Sequence, residues 1–209
     1  MQRICIWCYK VLRRLIMFPI LGINKLATMF LLYVNNVKHF NFSSHGIPYI
    51  SVAYGGFFSI GKNFKIINTL SSNPIGRSQK CSFVVNKGAK LIIGENVGIS
   101  QAAIVCHLEI SIGNDVKIGG GVCIYDTDFH SLDPIIRQGA LDIENKVNTP
   151  VLIKANAFIG ANSTILKGVT IGENSVIGAC SLVAKNVPDN EIWAGNPAKF
   201  IRKINENVN

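Results

Sequence analysis

Between Ile153 and Pro188 the apolar positions recur every sixth residue: Ile153, Ile159, Ile165, Ile171, Ile177 and Val183 keep one phase. A chain of ordinary aliphatic content rarely holds such a phase over six periods by chance. The fourth place of each hexapeptide holds Asn156, Asn162, Gly168, Asn174, Cys180 and Asn186, mostly residue types that tolerate a left-handed backbone and so make corners. The fifth holds Ala157, Ser163, Val169, Ser175, Ser181 and Val187, small or β-branched side chains that fit inside a bend. Residues six apart lie about 240° from one another around an α-helix, so no continuous apolar face would form. One straight strand fails as well, because Asn or Gly at every sixth position must bend the run repeatedly. The pattern predicts short strands joined by sharp corners, with coil stacked on coil at roughly 4.8 Å.

The same period reaches back toward the N-terminus. Ile60 to Lys65 is the first clean hexapeptide, and Ile93 to Gly98, Ile99 to Ile104, Ile112 to Lys117 and Ile118 to Cys123 continue it. Ile112 comes 13 residues after Ile99, so one extra residue is accommodated between them. The repeats are expected to begin near Pro48, with Ser71 to Gln79 as a loop or distorted corner. The larger break runs from Tyr125 to Pro150, about 26 polar residues holding the Asp-x-Asp-x-His cluster Asp126, Asp128, His130. Loops of that length inside a compact fold are usually functional.

These repeats, the loop and the closing segment GNPAK resemble the hexapeptide-repeat acyltransferases, in particular the capsule, lipopolysaccharide and maltose or galactoside O-acetyltransferase branch. The likeness covers about 48–203. It implies an all-β fold, a left-handed parallel β-helix over 46–190 with the loop 125–150 protruding from it. An N-terminal helical appendage over 1–45 and a closing strand and short C-terminal helix over 191–209 complete the expected domain plan. It also implies acetyl-CoA as acyl donor and a homotrimer with active sites between subunits. The implied donor contacts are Ala161, Ala179, Ala184, Lys185, Lys199 and Arg202. Gln101 and Tyr125 are the implied acceptor contacts, Gln101 standing where the branch often carries Asn.

Acyl transfer to a hydroxyl needs a base, because an alcohol is a poor nucleophile at neutral pH, and imidazole is suited to the task. His130 is the candidate general base. Asp128 or Asp126 is the candidate to hold its tautomer, and the spacing does not choose between them. The plainer alternative makes His130 a turn cap and Asp126, Asp128 and Asp133 turn formers. His107 reads as a hydrogen-bonded histidine of the repeat region. With only His107 and His130 in that region, a three-histidine zinc site is not expected.

Charge changes the picture at the N-terminus. The formal net charge is +9, but residues 1–94 hold 12 Lys and Arg and no acid, whereas 95–209 hold 9 bases and 12 acids. The bases are scattered among aliphatics without a nucleic-acid-binding motif, which favours an anionic membrane surface over nucleic acid. Within 1–45, the uncharged runs Leu15 to Asn24 and Leu26 to Asn36 are each too short to span a bilayer, and Pro19 and Gly22 are expected to bend a helix joining them. No clear signal-cleavage site follows. The segment reads either as an in-plane anchor or as a helix packed on the repeats or at a subunit contact. Six scattered cysteines suit a reducing compartment, and a cytoplasmic location, peripheral at the inner face of the membrane, is expected. The rival functions are acetyl transfer to a small molecule such as serine and a non-catalytic β-helix scaffold.

Overall fold

The six-residue phase becomes three flat faces. The computed structural model describes residues 2–75 and 78–204. Short strands follow one another, and as far as Thr164–Ile165 each pairs in parallel with the strand three places further along. Face I contains Phe42–His45, Phe64–Ile67, Gly98–Ser100, Lys117–Ile118, Phe158–Ile159 and Val176–Ile177. Face II contains Tyr49–Val52, Ser82–Val85, Ala103–Cys106, Cys123–Tyr125, Thr164–Ile165 and Leu182–Val183. Face III contains Phe57–Ile60, Lys90–Ile93, Glu109–Ile112, Val151–Ile153 and Thr170–Ile171. The chain passes from I to II to III in each coil, so residues on one edge of the prism stack above one another.

Register carries the aliphatic ladder. Ile99, Ile118, Ile159 and Ile177 align on face I, Ile104, Ile124, Ile165 and Val183 on face II, and Ile93, Ile112, Ile153 and Ile171 on face III. All are at most 3% exposed, and each contributes about 1.5–3 kcal/mol of apolar burial. The corners are as expected: Asn156, Asn162, Gly168, Asn174 and Cys180 have φ between 59° and 77°. At Asn186 the side chain accepts the Thr170 N–H. Glycine after the aliphatic lets coils approach closely, since a Cβ on Gly160 would lie 2.5 Å from the Ala179 nitrogen.

Several boundaries differ from expectation. The winding starts before residue 46, because Phe42–His45 already pairs with Phe64–Ile67. The extra residue between Ile99 and Ile112 is absorbed unevenly, by a tight corner at Gln101 with φ 46° and a wide one at His107 and Leu108. The described part of the 71–79 segment folds onto the edge between faces I and II: Gln79 Nε2 donates to the Gln101 carbonyl at 2.7 Å, while residues 76 and 77 lie outside the described residues. The closing segment is not a helix within the described residues. Glu191–Gly195 pairs in parallel with Val176–Ile177, and Ala198–Lys203 returns antiparallel to it. Ile192, Trp193, Phe200 and Ile201 suit strands, and the hairpin pairs the open end of face I. The helix expected for the rest of 191–209 lies outside the described residues from 205 onward. The N-terminal helix Gln2–Val34 is continuous through Pro19 and Gly22. Pro19 removes one rung of its ladder without ending it.

Candidate active site

The loop leaves the edge between faces II and III, directly after Tyr125, and its two ends are zipped together. Thr127 and Asn148 form an antiparallel bridge, Thr149 N–H donates to the Asp126 carbonyl at 2.8 Å, and Asp128 N–H donates to the Val147 carbonyl at 3.1 Å. Further out, Asp133 caps a single helical turn, Pro134–Arg137, by accepting from the Ile135 and Ile136 N–H groups. Arg137 Nη1 then donates to the carbonyls of Ser131 and Leu132. These local bonds hold the segment on either side of His130.

His130 does not pair with either predicted aspartate. Its Nδ1 lies 2.6 Å from Asp142 Oδ2, while Asp142 Oδ1 accepts the Ser131 N–H at 2.7 Å. The His130 hydrogen bond first, and the Ser131 N–H second, hold the Asp142 carboxyl below its ordinary range. An ionised carboxylate only accepts, so Nδ1 carries a hydrogen, and in the neutral ring the free lone pair is on Nε2. The His130 side chain is 61% exposed, so this nitrogen is open to a substrate proton. Phe129, immediately before it, adopts φ 65°, a left-handed conformation costing about 1–2 kcal/mol for a side chain of this kind. Ring contacts to Tyr125 at 5.2 Å and His107 at 5.8 Å hold Phe129 there.

Asp126 has a different task. It is fully buried, and its carboxylate accepts the N–H groups of His107 at 2.7 Å and Leu108 at 2.8 Å, closing the wide corner of the preceding coil. Cys106 Sγ contacts the same carboxylate at 3.5 Å, and burial together with that negative charge pushes its thiol up to about 12. Asp128 faces Lys167 Nζ at 3.4 Å, one coil further on. Both aspartates therefore brace the root of the loop rather than the imidazole. His107 also departs from its expected role, since its Nδ1 is buried without a hydrogen-bond partner among the described residues. Burial first, and Lys146 second, push its pKa down, which favours the neutral ring. Burial likewise pushes the Tyr125 hydroxyl up to about 12.

Three of the predicted donor contacts meet. Ala184, Lys185 and Lys199 line a cavity of about 260 Å³ with Trp193, Pro197, Ala198 and Phe200, between the last coil and the closing hairpin. Its walls are mostly apolar and include two lysines, Lys185 and Lys199, a set that fits an apolar arm ending in phosphates. Arg202 lies on the same hairpin, paired in register with Ile192. Ala161, Ala179 and Gln101 stand elsewhere, on the edge between faces I and II, where Gln101 is buried. The predicted site residues thus divide between two edges of one chain.

Residues 150–185 match the family model described as bacterial transferase hexapeptide (six repeats). A "Putative lipopolysaccharide biosynthesis O-acetyl transferase WbbJ" of Escherichia coli is 32% identical over 155 residues, covering 72% of this chain and 74% of that protein. The chain belongs to the hexapeptide-repeat transferase family. A galactoside O-acetyltransferase of Lactococcus lactis is 42% identical over 103 residues, 49% of this chain and 47% of that protein. The chain spans about half to three-fifths of the length of several curated relatives it matches. A hexapeptide-repeat acetyltransferase structure from Vibrio cholerae has a TM-score of 0.55 at 28% identity, covering 70% of this chain and 73% of that one. Asp142 was not foreseen from the sequence, because nothing in a polar loop marks an acid 12 residues downstream as the partner of a histidine.

Proposed function

We propose that this hexapeptide-repeat transferase is an acetyl-CoA-dependent O-acetyltransferase acting on a hydroxyl of a sugar or lipid-linked oligosaccharide in cell-surface polysaccharide synthesis. The observation that carries the reading is His130, with Nδ1 tied to Asp142 and Nε2 exposed on a braced loop. The donor supplies an acetyl group activated as a thioester. His130 Nε2 takes the hydroxyl proton as the acceptor oxygen attacks, and Asp142 stabilises the imidazolium so formed. As the carbon–sulfur bond breaks, the same nitrogen returns the proton to the departing thiolate. Lys185 and Lys199 meet the donor phosphates, and Trp193 and Ala184 border its apolar arm.

The winding is a left-handed parallel β-helix, and three copies assemble with the active sites between them. The division of the site supports this assembly: Gln101, Ala161 and Ala179 occupy a different edge from His130 and Lys185, so a second copy must bring the two edges together. A sugar acceptor is favoured by the names of the galactoside and lipopolysaccharide relatives. The cysteines are all free, which suits a reducing, cytoplasmic setting.

The test is thiol release from acetyl-CoA against sugars, nucleotide sugars, lipid-linked oligosaccharides and serine, for the wild type and His130→Ala. Sugar-dependent release lost in the variant is expected. Release with serine alone would overturn the acceptor class, and failure to bind coenzyme A by calorimetry would overturn catalysis.

A further inference from the structure

The N-terminal helix is amphipathic the wrong way round for a soluble domain. At about 100° per residue, Arg3, Lys10, Arg13, Arg14, Asn24, Lys25 and Thr28 fall within an arc of roughly 120°. From Arg3 onward the remaining arc is apolar apart from the hydroxyls of Tyr9 and Tyr33, the indole N–H of Trp7 and the thiols of Cys5 and Cys8. A helix docked on a core normally turns its apolar arc inward. Over its last turns the polar arc faces the protein, while the cations from Arg3 to Lys25 are exposed: Thr28 is fully buried, and its Oγ1 donates to Ser44 Oγ on the first strand of face I at 3.1 Å. Leu32 is the buried apolar residue beside it. The broad apolar arc points away from the prism, with Phe18 82%, Leu26 62% and Tyr33 80% exposed.

We infer that this helix is an in-plane anchor that binds the anionic leaflet of a lipid bilayer. The apolar arc enters the acyl boundary, and the cations flanking it stay at the headgroups, where their stems lie along the interface. Charge selects the occupant. The helix has five cations and no acid, and no acid occurs before Glu95. An anionic surface complements that field, whereas a second copy of the helix would set cations against cations. Its geometry also selects the orientation. By length and composition the helix could cross a membrane, since Leu15 to Val34 holds one cation, Lys25, with Arg3, Lys10, Arg13 and Arg14 before it; what opposes a spanning arrangement is the docking of its C-terminal end. The last turns are already committed to the first strand through Thr28 and Leu32. Because the polar arc is the one facing the prism over these turns, the prism stays on the aqueous side of the anchor. This inference does not depend on acetyl transfer.

The test uses full-length protein and sedimentation with vesicles of phosphatidylcholine, alone or mixed with phosphatidylglycerol, at low and high salt. The mixed vesicles are expected to bind it, with binding weakened by salt. The double substitution Leu26→Glu with Phe30→Glu, on the outward arc, is expected to abolish binding. Arg13→Gln with Arg14→Gln is expected to reduce partitioning about thirtyfold on the mixed vesicles and little on phosphatidylcholine. This charge-only pair keeps the test open if the first pair disturbs the helix. Release of the protein from cell membranes by alkaline carbonate is expected. Resistance to carbonate with the helix N-terminus protected across the membrane would overturn the in-plane arrangement. Failure to sediment with either vesicle, with a helix-dependent larger species in solution, would overturn the lipid partner in favour of a second copy.

Discussion

Replacing Asp142 by Asn tests the proposed base at its least foreseen point. Asp142 accepts two hydrogen bonds, from His130 Nδ1 at 2.6 Å and from the Ser131 N–H at 2.7 Å. An amide is nearly the same shape but has only one acceptor oxygen. If that oxygen stays on the Ser131 N–H, the amide NH2 faces Nδ1, and the hydrogen of the neutral imidazole moves to Nε2, the nitrogen that must accept a proton. General base catalysis contributes about 10²- to 10⁴-fold, which sets the ceiling for His130→Ala. Loss of the correct tautomer is expected to remove about tenfold to a hundredfold of it, with the smaller end favoured because the His130 ring is well exposed. The readouts are kcat for thiol release and the nitrogen chemical shifts of the His130 ring. The wild type should show hydrogen on Nδ1 and the variant on Nε2. The double variant with His130→Ala should be no slower than His130→Ala alone, since the two residues act as a unit. Wild-type kcat together with an unchanged tautomer in Asp142→Asn would refute the reasoning.

Three further outcomes follow from contacts elsewhere. Asp126→Ala should cost about 1–3 kcal/mol in urea unfolding, because it leaves the half-buried N–H groups of His107 and Leu108 without their acceptor, with Asp126→Asn costing less. Ile159→Ala, in the centre of the face I ladder, should cost about 2–5 kcal/mol, while Asn156→Gly at a corner of φ 61° should change stability little and Asn156→Val should lower it. The depressed Asp142 carboxyl gives the loop a pH dependence: its contribution is fully present above the ordinary carboxylate value of 3.8 and is lost as pH falls through the lower folded value. The protection of the Ser131 amide against hydrogen exchange, relative to its intrinsic rate at each pH, should therefore fall in that acid window, and Asp142→Asn should abolish the dependence.

The prism was legible because its rule is local. A single phase placed Ile153 through Val183 in the core and the Asn and Gly positions at the corners, and nearly every one of those residues lies where the phase put it. The closing hairpin was less legible, since Ala198–Lys203 gains its strand from pairing with Glu191–Gly195 rather than from any period of its own. Within the loop, sequence spacing pointed to His130 but favoured the wrong acids. Asp126 and Asp128 sit four and two residues before His130, yet the zipped base of the loop directs them toward the Leu108 corner and Lys167. Asp142 reaches the imidazole because the chain turns back beyond the Asp133-capped helical turn, a long-range consequence that residue spacing does not encode.

The rigidity of the prism then explains how a mobile chemistry is placed by a loop. Residues on one edge advance by a coil at a time, roughly 4.8 Å per step. Tyr125, where the loop departs, pairs on face II with the coil below, and Leu182–Val183 is two coils above the Cys123–Tyr125 strand through Thr164–Ile165. The Lys185 corner is therefore displaced by about 10 Å along the axis from the root of the loop. That interval is fixed by aliphatic stacking, which substitutions in the loop do not alter. The imidazole, by contrast, owes its aim to Asp142, Phe129 and the capped turn. Changes in the ladder should accordingly lower stability and leave the tautomer of His130 intact, whereas changes at Asp142 should alter the tautomer and leave unfolding nearly unchanged.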